Sequence, residues 1–126
     1  MTKAEIIERL KRLDYACSEY WVVAGSAMVM HGLRETTNDI DLGCTKALAD
    51  VLESRGYKAD MLADGTRKIL VAEDVEIFEG WLFDDVVTVE GISVISLKGL
   101  LEMKKRLGRA KDTKDVELIE EALLKI

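Results

Sequence analysis

Along this chain the hydrophobic positions alternate between a helical and an extended period, which divides the sequence into short helices and strands. Ile6, Ile7, Leu10 and Leu13 recur at helical spacing, so residues 3–18 read as an amphipathic helix. An apolar run at 21–24 predicts a buried strand. A short helix over 26–31 follows and ends near Gly32. Residues 36–38 lead into a strand at 39–44, and 47–54 form a helix stopped by Gly56. Asp64-Gly65 is a turn signal between extended runs at 57–62 and 67–72, which predicts a hairpin. Further strands are predicted at 74–78 and 92–95. Ser96 then caps a helix reaching Leu107, Gly108 breaks it, and a last helix covers 113–124 with Val116, Ile119 and Leu123 on one face. The expected architecture is one α/β domain over residues 1–126, a mixed sheet layered with helices, two of them C-terminal.

Polar residues interrupt this pattern at chemically telling places. In WVVAGSAMVMHGLRETTNDIDLGC, Gly25-Ser26 leaves the first strand, and after twelve intervening residues comes Asp39-Ile40-Asp41. Side chains alternate along a strand, so Asp39 and Asp41 share a face, about 7 Å apart. Paired carboxylates hold hard divalent cations, and a glycine-led helix start accepts phosphate. Glu76 lies between Val75 and Ile77, where a buried strand prefers an apolar residue and an unpaired carboxylate is costly. Asp39, Asp41 and Glu76 on neighbouring strands thus form a candidate three-carboxylate cluster whose mutual repulsion raises at least one pKa. Asp74 stands two residues earlier on the same face and is the alternative third acid.

Charge adds a second feature. The formal net charge is −6, yet Lys98 to Lys114 holds seven basic and two acidic residues. A local basic patch suits a polyphosphate or an RNA end, while a general nucleic-acid surface is excluded. Cys17 and Cys44 lack metal-type spacing and read as reduced thiols of a cytoplasmic protein, with a disulfide as the alternative. The single His31 excludes a multi-histidine zinc site within one chain. MTKAEIIERLKR does not read as a signal peptide, and no apolar run approaches the roughly 18–20 residues of a membrane span.

The block AGSAMVMHGLRETTNDIDL resembles the signature of the DNA polymerase β-like nucleotidyltransferase superfamily. Arg34-x-Thr36-x-x-Asp39-Ile40-Asp41, Ser96-Leu97-Lys98 and Lys111-Asp112-x-x-Asp115 resemble more closely the small group that includes AbiEii-type toxins and minimal nucleotidyltransferase antitoxins. The resemblance spans about Trp21 to Ile119. It implies a nucleotidyltransferase fold in which Gly25 and Ser26 bind the triphosphate. Asp39 and Asp41 would ligate two Mg²⁺ ions, with Glu76 as the third, catalytic carboxylate. Glu76 departs from the commoner Asp by one methylene. Arg34 and Lys68 are further candidates for phosphate contact, each with a purely structural reading beside it, and Lys104 is a candidate to reach back to the site. Lys111, Asp112 and Asp115 read as a helix-start network. The activity implied is Mg²⁺-dependent transfer of a nucleoside monophosphate from an NTP, ATP first, to a hydroxyl on a protein side chain, an RNA end or a small molecule. The alternatives are a toxin–antitoxin component that acts by binding a partner protein, or a degenerate module of the same fold. So small a chain lacks an acceptor domain, so a homodimer or a partner protein is expected to complete the cleft.

Overall fold

The computed structural model describes residues 1–13, 15 and 18–125. Its helices are α1 (Lys3–Lys11), α2 (Ala24–Met30), α3 (Lys46–Ser54), α4 (Leu97–Leu107) and α5 (Thr113–Leu124), with a 3₁₀ turn at Ala110–Asp112. Its strands are β1 (Tyr20–Val23), β2 (Ile40–Cys44), β3 (Ala59–Met61), β4 (Arg67–Ala72), β5 (Val75–Glu79), β6 (Val86–Val89) and β7 (Ile92–Ile95). Among the described residues they form a seven-stranded mixed sheet in the order β3-β4-β5-β2-β1-β7-β6. β2 runs parallel to β5 and β1 parallel to β7; the other pairs are antiparallel.

Side-chain alternation explains the layering. Ile40, Leu42 and Cys44 of β2 are fully buried with Val75 and Ile77 of β5, while Asp41 and Gly43 take the opposite face. Gly43 leaves room there for Trp21: a Cβ on it would lie 2.1 Å from the indole nitrogen. Helix α2 is buried along Ser26–Met30, packed among α1, α4 and the central strands, and α5 lies on α4.

Local signals set the element ends. Thr45 Oγ accepts from the Leu48 N–H at 3.2 Å and starts α3. Ser96 Oγ accepts from Gly99 N–H at 3.0 Å and starts α4, which Gly108 closes at φ 60°. Helix α1 is shorter than its periodicity predicts. Leu10 is its last buried residue, and Leu13 packs on the core from the turn beyond; positions 14, 16 and 17 of the predicted helix lie outside the described residues. Strand β6 has no counterpart in the sequence reading. It pairs only with β7 across a two-residue turn, Glu90-Gly91, with φ of 49° and 82°, the left-handed pair that such a hairpin demands.

Candidate active site

Asp41 sits at the centre of the sheet, opposite Val23 on β1 and Glu76 on β5. The parallel β2–β5 register therefore brings Asp41 and Glu76 side by side, although 35 positions separate them in the chain. Asp39, one residue before β2, completes the acidic edge. Its approach loop is held where Thr37 Oγ1 donates to the Asp39 carbonyl at 3.2 Å.

The turn from β1 into α2 forces Ala24 to φ 56°, a left-handed conformation costing a residue with a Cβ about 1 kcal/mol. Next to it, a Cβ on Gly25 would stand 2.7 Å from Arg34 Nη1 and 3.4 Å from Thr37 Oγ1. Gly25 is thus the residue that lets the Arg34 guanidinium lie over the helix start. Ser26 is fully buried. Its hydroxyl lies 2.8 Å from the Val23 carbonyl and 3.3 Å from that of Asp41, and it accepts from the Asp41 N–H at 3.1 Å. Where the sequence suggests a phosphate donor, the structure places a residue that fixes the backbone of Asp41.

Ala24, Gly25, Arg34, Thr37, Asn38, Asp39 and Asp41 line one side of a cleft of about 380 Å³, and Lys104, Arg109, Lys111, Asp112 and Asp115 line the other. The second side is an ion-pair chain. Arg34 Nη2 lies 2.6 Å from Asp115 Oδ2, and Lys104 Nζ bridges Asp115 at 3.2 Å and Asp112 at 3.1 Å. Arg109 meets Asp112 at 2.6 Å. Lys104 is only 3% exposed, a burial that an ammonium tolerates when paired in this way. Burial would raise both aspartates, but Arg109 and Lys104 hold Asp112, and Arg34 and Lys104 hold Asp115, below the ordinary carboxylate range.

The acidic side is not balanced in the same way. Burial, helped by the neighbouring charges of Glu76 and Asp39 and opposed by Lys104 and Lys68, pushes the Asp41 carboxyl up to about 6. Glu76 pairs with Lys68 at 3.1 Å. Asp74 is taken by Arg9, whose Nε and Nη2 donate to its two oxygens at 3.1 Å each, which keeps its pKa low. Of the two alternative third acids, Glu76 is the one beside Asp41. Among the described residues no three acidic, His or Cys side chains are already gathered as a metal-holding group. The donor chemistry nevertheless fits a hard divalent cation: Asp39, Asp41 and Glu76 stand along one edge, and burial raises the Asp41 carboxyl, a cost that a cation would offset.

His31, Trp21, Trp81 and Cys44 sit apart from the residues that line the cleft. A ring nitrogen of His31, which caps the end of α2, is 2.8 Å from the Ile95 carbonyl. Trp21 Nε1 donates to the Trp81 carbonyl at 2.8 Å, and Trp81 stacks on Phe78 with centroids 4.2 Å apart. Cys44 is buried and free, its thiol pushed up to about 12 by burial; Cys17 lies outside the described residues. Sequence reasoning leaves Arg109 merely within the basic segment and Lys111 in a helix-start network, yet both line the cleft. The excess of positive charge between Lys98 and Lys114 is the signal that could have placed them there.

Comparison with family models finds no match, and no curated protein matches the chain. Solved structures do share its fold. A Thermotoga maritima protein proposed to be a nucleotidyltransferase superposes with a TM-score of 0.56 at 17% identity, covering 100% of this chain and 97% of the other. The aminoglycoside nucleotidyltransferase ANT(2″)-Ia, solved with adenylyl-2″-tobramycin, superposes with a TM-score of 0.55 at 14% identity, covering 96% of this chain and 88% of its own. The mixed α/β fold of the chain is the nucleotidyltransferase fold.

Proposed function

We propose that this chain is a Mg²⁺-dependent nucleotidyltransferase that moves a nucleoside monophosphate from an NTP to a hydroxyl acceptor. The observation that carries the reading is one cleft with Asp39 and Asp41 on one side and Lys104, Arg109 and Lys111 on the other, with Glu76 beside Asp41 on the neighbouring strand. That is the charge arrangement a metal–triphosphate complex requires. Asp39, Asp41 and Glu76 would hold two Mg²⁺ ions, which when bound neutralise charge on the phosphates and on the attacking oxygen. Arg34, Arg109 and Lys111 would take the triphosphate, the guanidinium groups by paired N–H donors. The acceptor oxygen forms a bond to the α-phosphorus as the bond to the β-phosphate oxygen breaks, releasing pyrophosphate. The hydroxyl proton passes to a Glu76 carboxylate oxygen and on to water. ATP is the first donor to test, because the similar ANT(2″)-Ia carries an adenylyl product. The Lys111-Asp112-x-x-Asp115 tail is the basis for reading the chain with the small AbiEii-type group, acting with a second copy or a partner protein.

The degenerate-module reading is favoured by one feature, the Lys68–Glu76 pair. Titrating Mg²⁺-ATP and the other NTPs calorimetrically into the protein and an Asp39→Asn/Asp41→Asn double variant separates the two. Metal-dependent binding lost in the variant supports the enzyme, and labelled-nucleotide transfer then finds the acceptor. Folded protein that binds no NTP, with or without metal, overturns the reading.

A further inference from the structure

The acidic edge contains a cation supplied by the protein itself. Lys68 Nζ lies 3.1 Å from Glu76 Oε2, on the strand that pairs with β5 from the far side of the cleft. The pair is accessible, with side-chain exposures of 40% for Lys68 and 30% for Glu76, so the contact can open without unfolding anything. Lys68 also sits across from Phe78 in the β4–β5 register, its ammonium 6.0 Å from the ring centroid. That face offers the ammonium a second favourable position when it leaves the carboxylate. Asp41, Glu76's neighbour on β2, feels the same charge.

We propose that Lys68 is an internal counter-ion that competes with the divalent cation for Glu76 and thereby sets how tightly the site takes metal. The inference rests on the metal-dependent reading above. Without metal, the ammonium relieves the repulsion between Glu76 and Asp41. A dication that draws on Glu76 has to displace it, and the ammonium then moves onto Phe78. Lys68 acts through Glu76 and is a positioning residue.

The test uses Mn²⁺ alone, with no nucleotide, so that contact between Lys68 and phosphate cannot contribute. Free Mn²⁺ is followed by electron paramagnetic resonance at about pH 8, above the value of about 6 for Asp41, so that protons do not compete there. Lys68→Met and Lys68→Gln should both bind Mn²⁺ about two- to fivefold more tightly than the unmodified protein, the scale of losing one half-exposed ion pair. Lys68→Arg should bind as the unmodified protein does. In a Glu76→Gln background, Lys68→Met should lose its advantage. Equal Mn²⁺ affinity in the unmodified protein and both neutral variants overturns the proposal and leaves the enzyme reading standing. No Mn²⁺ binding by any of them overturns the metal reading itself, and this inference with it.

Discussion

On the wall built from α4, the 3₁₀ turn and α5, each buried charge meets an opposite one, whereas on the β2–β5 edge, among the described residues, Glu76 pairs with Lys68 and its neighbour Asp41 is half-buried without an ion pair of its own. Both regions are polar and both give residues to the same cleft, Asp39 and Asp41 from the edge and Lys104, Arg109, Lys111, Asp112 and Asp115 from the wall, yet they hold charge differently. The paired wall ties the C-terminal helices to the loop that carries Arg34. On the edge, burial first and then the charges of Glu76 and Asp39 raise Asp41. The difference teaches that the number of ion pairs around a site does not locate its chemistry. A carboxylate half-buried without an ion pair among the described residues, as Asp41 is, makes the better candidate.

The largest test of this contrast is Asp41→Asn. It should lower kcat/KM for nucleotidyl transfer by about 10²–10³-fold while leaving the fold intact, as thermal melts and circular dichroism can check. Stability should meanwhile respond to pH. A carboxyl raised in the folded state stabilises fully below its unfolded value of about 3.9, and that stabilisation is lost as pH rises through about 6. In metal-free urea titrations, the unmodified protein should gain about 2 kcal/mol relative to Asp41→Asn between pH 7.5 and pH 4. A constant difference would mean that the Asp41 carboxyl is not raised in the folded protein.

The opposite wall should answer in stability. Lys104→Met leaves Asp112 and Asp115 buried with only Arg109 and Arg34, and should cost about 3 kcal/mol in urea denaturation. A smaller effect is expected from Gly25→Ala, whose Cβ meets the movable end of Arg34. Nucleotide affinity should fall about tenfold, roughly 1.4 kcal/mol, with the melting temperature almost unchanged. Asp74→Asn should do least. It opens a half-exposed pair with Arg9, so stability should change by under about 1 kcal/mol and transfer activity should hold. A loss of activity comparable to that of Asp41→Asn would move the third carboxylate from Glu76 to Asp74.

Much of this could be read from the sequence because local chemistry marked it. Asp39 and Asp41 announced themselves as two carboxylates one strand-period apart, and Ser96 and Gly108 bracketed α4. Glu76 stood out as a charge among buried strand residues, and the parallel β2–β5 register places it beside Asp41. Other features depended on contacts far apart in the chain. Ser26 looks like a phosphate donor until the turn into α2 buries its hydroxyl against Val23 and Asp41. Gly25 looks like room for a ligand, and the structure fills that room with Arg34. Strand β6 was missed because it lies at the sheet edge with its side chains largely exposed, so burial wrote no alternation into it.

The link from Arg34 to Asp115 crosses 81 positions. During synthesis, β1, α2, β2 and β5 emerge before α5, so the strands of the acidic edge precede the wall that faces them. Until Asp115 has left the ribosome, Arg34 has no anchor and the cleft has one side only. A nascent chain can therefore pair these strands before the Arg34–Asp115 link closes the cleft.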